Sequence, residues 1–263
     1  MDLELKGKRA FVAGSSDGIG RAIAEGLAAE GCDVMLCARS EDKLRSLSEA
    51  LHDTYGVRVK YISTDLDKPT DIATAIHETI ERFGGLDILI TNNGGPNPGE
   101  FLSMTEEDWL AGYNRTLMSG IRLIRGFLPG MIDQQHGRVI NVTSISVKQP
   151  VQRLLLSNTF RAGVTGMAKT LSDEVSKHGV TVNNIAPGYI RTGRQTQLFT
   201  DREKKDGNTY DAISDQVTAN IPMGRIGTPD EIAHLAVFLS SSRASYITGT
   251  TIQVDGGIFR GLM

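Results

Sequence analysis

The chain has 263 residues, 40% of them hydrophobic, and a formal net charge of −3. That length suits one large α/β domain or two small ones. The near-balanced charge carries no electrostatic footprint for nucleic acid, and no apolar run is long enough to cross a bilayer.

The chain opens with Arg9-Ala10-Phe11-Val12-Ala13, which is β-capable, and turns through Gly14-Ser15-Ser16-Asp17-Gly18-Ile19-Gly20 into Arg21–Glu30, a run of helix formers with Ile19, Ile23 and Leu27 on one face. Such a strand–glycine–helix turn aims unpaired N–H groups and the positive end of a helix dipole at one point, a seat for a pyrophosphate. The spacing is GxxxGxG rather than the commoner GxGxxG. Asp33–Ala38 reads as a strand covered on both faces, 41–54 as an amphipathic helix, Val57–Ile62 as the third strand and 69–83 as a helix opened by Pro69. Leu86–Ile90 is the fourth strand, stopped by Thr91-Asn92-Asn93-Gly94-Gly95-Pro96. A helix over 106–134 with a bend near Pro129, a strand Gly137–Val142 ending in Thr143-Ser144, a helix over 152–177 and a strand Val180–Ile185 stopped by Pro187-Gly188 follow. The polar stretch 193–220 reads as a mobile flap with helical pieces, before a helix from Pro229 to about 240 and a last strand Thr250–Val254.

Alternating strands and helices with short loops predict a Rossmann-type, doubly wound parallel sheet in a single domain spanning 1–263. Right-handed crossovers bring every strand's C-terminal end to one edge, where ligands bind at the switch point. Gly14–Gly20, Ala38-Arg39, Asp65, Thr91–Gly95, Ser144 and Pro187–Thr192 all fall on that edge.

These residues, together with Asp65-Leu66 and the closing Asp255-Gly256-Gly257, make the chain resemble the short-chain dehydrogenase/reductase family along nearly its whole length, nearest the acyl-carrier-protein ketoreductase branch. The resemblance implies seven strands in order 3-2-1-4-5-6-7, a nicotinamide cofactor, and a homotetramer or homodimer joined through the helices at 106–134 and 152–177. It assigns cofactor contacts to Gly14, Ser15, Ser16, Asp17, Gly18, Ile19, Gly20, Arg39, Asp65, Leu66, Asn92, Asn93, Gly94, Arg161, Pro187, Gly188, Ile190 and Thr192, the last holding the nicotinamide amide. The family's catalytic residues are an Asn, a Ser, a Tyr and a Lys, with the Tyr as proton donor. Ser144 matches the Ser. Where the pattern wants Tyr-x-x-x-Lys, thirteen residues on, the chain reads Ser157-Asn158-Thr159-Phe160-Arg161, and the Asn position, seven residues beyond Trp109, holds Thr116.

An aliphatic hydroxyl is a far weaker acid than a phenol. Arg161 keeps a positive charge that can bind ribose hydroxyls or orient an oxygen, but it releases no proton at ordinary pH. The resemblance therefore carries over dinucleotide binding more firmly than the usual proton relay. Tyr189, Tyr113 and Tyr210 are candidate substitutes for the missing acid, against the alternative that each is an amphipathic packing residue. Ala38 stands where an acid would hold a free ribose 2′-OH, and Arg39 follows, which favours NADP(H) over NAD(H); Asp17 argues mildly the other way. Lys148, Arg153, Arg191 and Arg194 could form a positive rim for an anionic ligand, or could be solvated loop charges. The five histidines have no ligand spacing, and no metal is expected. Cys32 and Cys37 match neither CxxC nor a metal pattern and read as small buried hydrophobes. With no signal segment at Met1–Leu5 and no lipidation box at the other end, the expected location is cytoplasmic. Two functions fit: an NAD(P)H-dependent oxidoreductase acting on a small carbonyl or alcohol substrate (3-oxoacyl reductase-like, with Ser144, Ser157, Arg161 and Thr116 at the reacting site), or a catalytically inactive NAD(P)-binding sensor or assembly protein. Isomerisation or elimination on the same scaffold is a third.

Overall fold

A computed structural model describes residues 1–262. Seven strands form one parallel sheet: β1 (Arg9–Ala13), β2 (Asp33–Ala38), β3 (Val59–Ser63), β4 (Ile88–Thr91), β5 (Gly137–Val142), β6 (Val180–Pro187) and β7 (Thr251–Val254), in the order β3-β2-β1-β4-β5-β6-β7. Side chains alternate along each strand, so the sheet needs cover on both faces. Ala10, Val12, Leu36 and Ile90 point to one side, against α1 (Gly18–Ala29), α2 (Glu41–Tyr55) and α9 (Pro229–Ser240). Phe11, Ala13, Met35 and Leu89 point to the other, against α3 (Pro69–Phe83), α5 (Ser119–Asp133) and α6 (Leu155–Val175). The order reverses between β1 and β4, and that switch point opens the crevice above the strand ends. Cys32 and Cys37 are both fully buried, and burial pushes both thiols up to about 12, which suits a packing role.

Several predicted boundaries move for identifiable reasons. β3 begins at Val59 instead of Val57, because the Arg58 N–H leaves the ladder and donates to Asp33 Oδ1 at 3.0 Å. β6 runs on to Pro187, whose partner is Val254, and Gly188 N continues the pairing to the Val254 carbonyl at 3.0 Å. The helix expected over 106–134 is two helices, α4 (Glu106–Gly112) and α5, joined by a π-helical stretch at Tyr113–Met118. The irregularity therefore lies well before Pro129, which sits inside α5. The Arg115 carbonyl is drawn to two side chains, Asn93 Nδ2 at 2.9 Å and Ser119 Oγ at 2.5 Å, and the Arg115 guanidinium is tied to Asp67. A widened turn is the local response to such outside partners.

The stretch 193–220 is also more regular than expected. It forms α7 (Gly193–Asp206) and α8 (Tyr210–Ala219), and the charged run 201–206 is the last part of α7, closed by Gly207 at φ +73°. Phe199, Ile213, Val217 and Ile221 give this pair a small apolar core of its own, with Tyr189 and Tyr210 packed against it. In the helices expected to join subunits, Ile124 and Val164 are buried within the chain, and Leu128 and Leu171 pack against the core that holds Ile124. Among the described residues, no helix is long and apolar enough to cross a membrane.

Candidate active site

The glycine loop between β1 and α1 forms one wall of a cleft of about 420 Å³. Gly14 has φ +64°, and a Cβ there would lie 2.7 Å from Asn92 Nδ2. A Cβ on Gly20 would meet the Gly14 carbonyl oxygen. Both positions need glycine for the chain to turn this tightly. Asp17 caps α1, its Oδ1 accepting from Gly18 N at 2.7 Å, and its other oxygen lies 3.3 Å from Lys43 Nζ. Its negative charge is thus partly offset, which weakens the objection it raised to a phosphorylated ribose.

The opposite side comes from the ends of β4, β5 and β6. Asn92 Nδ2 reaches the Ala13 carbonyl at 3.3 Å and locks the β4 loop to β1. Asn93 holds the widened turn through its Nδ2, while its Oδ1 accepts from Gly94 N at 2.7 Å. Ser144 stands at the head of a short 3₁₀ turn, Ile145–Val147, with its Oγ accepting from Ser146 N at 3.1 Å. Ser157 is buried on the first turn of α6, its Oγ 3.3 Å from Ser146 Oγ. Asn158 does not line the cleft and braces the adjoining loop, accepting from Val151 N at 3.1 Å and donating to the Val151 carbonyl at 3.0 Å.

Arg161, one helical turn beyond Ser157, directs Nη1 to the carbonyls of Val142 and Thr143 at 3.0 and 2.9 Å. Part of its surface faces the cleft, but its charge lies in a strongly desolvated position. Burial first, and then the positive charge of Arg194, push its pKa down to about 10. Arg194, on the first turn of α7, donates Nη2 to the Pro96 carbonyl at 2.8 Å; burial also lowers its pKa. No acidic side chain makes an ion pair with either guanidinium among the described residues.

The cleft brings together Gly14, Asp17, Gly18, Ile19, Asn92, Asn93, Gly94, Ser144, Ser157, Arg161, Pro187, Gly188, Ile190 and Thr192. Thr192 Oγ1 caps α7, accepting from Gln195 N at 3.2 Å. Other candidates stand behind or beside the cleft. Ser15 is fully buried and spends its hydroxyl on the Cys37 backbone, accepting from Cys37 N at 2.8 Å. Ser16, Gly20, Arg39 and Asp65 do not line the cleft. Arg39 is exposed just past β2, and Asp65 Oδ1 accepts from Asp67 N at 3.1 Å. Thr116 and Leu66 border a separate small cavity of about 20 Å³, which Arg161 closes on one side. The Thr116 Oγ1 there is buried without a hydrogen-bond partner.

Tyr189 alone of the three tyrosines borders the cleft, and burial raises its pKa, making its phenol a poorer acid. Tyr113 packs on Phe160 at 6.1 Å between ring centroids and Tyr210 on Phe199 at 5.5 Å, so both are packing residues. Of the four cations proposed for a rim, only Arg194 lines the cleft; Arg153 turns to Asp206 at 3.0 Å. Gln195 and Leu198 also line it and escaped the sequence reading. Recognising Thr192 as a helix cap would have placed both on one face of a helix.

Comparison with known proteins adds an independent line. A protein-family model described as enoyl-(acyl carrier protein) reductase matches residues 13–259. The chain is 34% identical over 259 residues to the 3-oxoacyl-[acyl-carrier-protein] reductase FabG of Aquifex aeolicus, covering 98% of this chain and 100% of that one. It is 36% identical over 257 residues to the FabG of Vibrio cholerae, covering 98% and 99%. Among solved structures, the L-sorbose reductase of Gluconobacter frateurii, complexed with NADPH and L-sorbose, superposes with a TM-score of 0.95 at 35% identity over the full length of both chains.

Proposed function

Because the chain belongs to the short-chain dehydrogenase/reductase family, we propose that it is an NADP(H)-dependent oxidoreductase for a small carbonyl/alcohol pair, with Ser144, Ser157 and Arg161 as its reacting-site groups. The observation that carries this reading is that these three residues line the same cleft as Gly14, Gly18 and Ile19 of the glycine loop and Pro187, Gly188 and Thr192 after β6. The glycine loop suits a dinucleotide, because a tight turn that only glycine permits at Gly14 and Gly20 brings bare backbone and the N-terminus of α1 to the cleft wall. NADPH in the sorbose reductase complex, exposed Arg39 beside β2, and Asp17 already engaged by Lys43 together favour the phosphorylated cofactor.

When bound, the reduced nicotinamide supplies a hydride to the carbonyl carbon. The chain's own groups manage the oxygen. Ser144 donates a hydrogen bond to it, and the fixed charge of Arg161 stabilises the negative charge that develops there. Arg161 is braced by two backbone carbonyls, so it need not reorganise as that charge appears. The proton that completes the alcohol comes from water at the cleft mouth, with Ser157 and Ser146 as neighbouring hydroxyls. Thr116 shares a separate small cavity with Arg161, where its hydroxyl has no protein partner, so it is outside the cleft in which the oxygen is held.

Relatives of near-equal identity bear the names of reductases for different carbonyl compounds, so overall similarity does not select the substrate. A 3-oxoacyl compound is the first class to test. The decisive experiment is titration with NADPH and NADH by fluorescence, followed by measurement of NADPH oxidation with a panel of 3-oxoacyl thioesters, ketoses and aldehydes. Tight NADPH binding with turnover supports the reading. Tight binding with no oxidation across the panel replaces it with a sensor or assembly role, and equal affinity for both nucleotides removes the argument from Arg39.

We read the assembly as a homodimer or homotetramer. Phe101, Leu102 and Leu110 are 69%, 95% and 55% exposed around α4, next to α6, an apolar patch that a second copy would cover. Light scattering across a dilution series tests this.

A further inference from the structure

We propose that the substrate carries a carboxylate, and that Arg194 is the residue that selects it, with Arg161 contributing the second positive charge. The inference rests on the reading above and extends it to substrate class. Arg161 and Arg194 line one cleft, each lowers its charge's comfort through burial, and the charge of Arg194 is felt at Arg161. Each uses only backbone carbonyls as partners: Val142 and Thr143 for Arg161, Pro96 for Arg194. Two like charges in a desolvated cleft with no ion-paired carboxylate form an arrangement that lacks its anion. Asp201 lends Arg194 only longer-range attraction, and Asp17, the acidic side chain lining the cleft, is held by Lys43.

Other guanidiniums nearby differ: Arg115 is bound to Asp67 and Arg153 to Asp206, and exposed Arg191 does not line the cleft. Arg194 therefore combines a place in the cleft with donor capacity for a ligand. It sits with Gln195 and Leu198 at the α7 side of the cleft, while Val151 and Leu154 line it from the loop before α6. An anionic group on a short apolar chain matches that mixture. A guanidinium fork accepts a carboxylate through two parallel hydrogen bonds. The same oxyanion chemistry could be met by the pyrophosphate of the cofactor, and the test separates the two.

Protein fluorescence is titrated with hexanoate, with hexanamide as the neutral match, in the presence and absence of saturating NADPH, for wild type, Arg194→Gln and Arg194→Lys. The NADPH Kd is measured for each protein by itself. The proposal expects hexanoate to bind the NADPH complex about tenfold or more tightly than hexanamide, from charge-assisted hydrogen bonds. It expects Arg194→Gln to abolish that preference while changing the NADPH Kd by less than about threefold, and Arg194→Lys to restore part of it. Equal binding of acid and amide overturns it. So does an Arg194→Gln variant that weakens NADPH more than hexanoate, which would assign the residue to the cofactor. Hexanoate preference that persists in a protein unable to bind NADPH would retain the carboxylate site and refute the oxidoreductase reading instead.

Discussion

Arg161 Nη1 lies 3.0 Å from the Val142 carbonyl and 2.9 Å from that of Thr143, so the guanidinium is fastened to the end of β5 immediately before Ser144. The link sets where the charge stands relative to the serine hydroxyl. It also ties α6 to the end of β5. Replacing Arg161 by Met removes both the charge and the brace. NADPH affinity should fall about tenfold and kcat/KM by about a hundredfold, with Arg161→Lys recovering part of each. Fluorescence titration and steady-state kinetics read the two effects separately.

Ser144 is assigned a different share of the work. Its Oγ already accepts from Ser146 N at 3.1 Å, so its position survives the loss of a ligand. In Ser144→Ala, kcat/KM should fall by about a hundredfold or more, because one hydrogen bond to the developing oxyanion is lost. The NADPH Kd should stay within about twofold. A large loss of NADPH affinity in this variant would move Ser144 from chemistry to cofactor binding.

Gly14→Ala tests the glycine loop. Its φ of +64° disfavours any Cβ, and the added atom would lie 2.7 Å from Asn92 Nδ2. The variant should lose about 2 kcal/mol of stability and bind NADPH at least tenfold more weakly. Urea denaturation and nucleotide titration measure these outcomes; an unchanged Kd would mean the loop does not contact the nucleotide.

A pH effect on stability should arise far from the cleft, at His136, just before β5. Burial first, then the nearby positive charge of Arg138, push this imidazole down from 6.5 to about 4. A base with a depressed folded pKa binds its proton more readily when unfolded. Its contribution is therefore complete above pH ~6.5 and is lost as the pH falls through about 4. Since the ring is only half-buried, the effect should be on the order of 1 kcal/mol. Urea midpoints taken across that range should fall less in His136→Gln than in wild type. Equal slopes would show that His136 is not the titrating group.

The parallel sheet and its binding edge were legible in the sequence because they follow from local signals, while the strand order came with the family resemblance. Apolar runs the length of strands, glycine at the first turn, Pro187-Gly188 at a strand end and regular alternation with helices all act within a few residues of one another. Family resemblance then placed Ser144, Ser157 and Arg161, and the fold brings them to one cleft. The π-helical stretch was hidden, because its cause is Asn93 and Asp67 reaching Arg115 across 22 and 48 residues of sequence. The packing of α7 on α8 was missed for a similar reason: a polar segment can hide a few apolar residues that meet only once both helices form.

What the chain's order of residues determines by itself is the framework: hydrophobic period and turn chemistry are properties of neighbours, and they suffice to choose a parallel sheet with a nucleotide-type loop. What only the tertiary structure decides is which charges are satisfied. Arg153 and Arg194 look alike in sequence, yet one finds Asp206 and the other faces the cleft with backbone partners alone. Electrostatic energy depends on distance and burial in space, and neither is encoded at any single position.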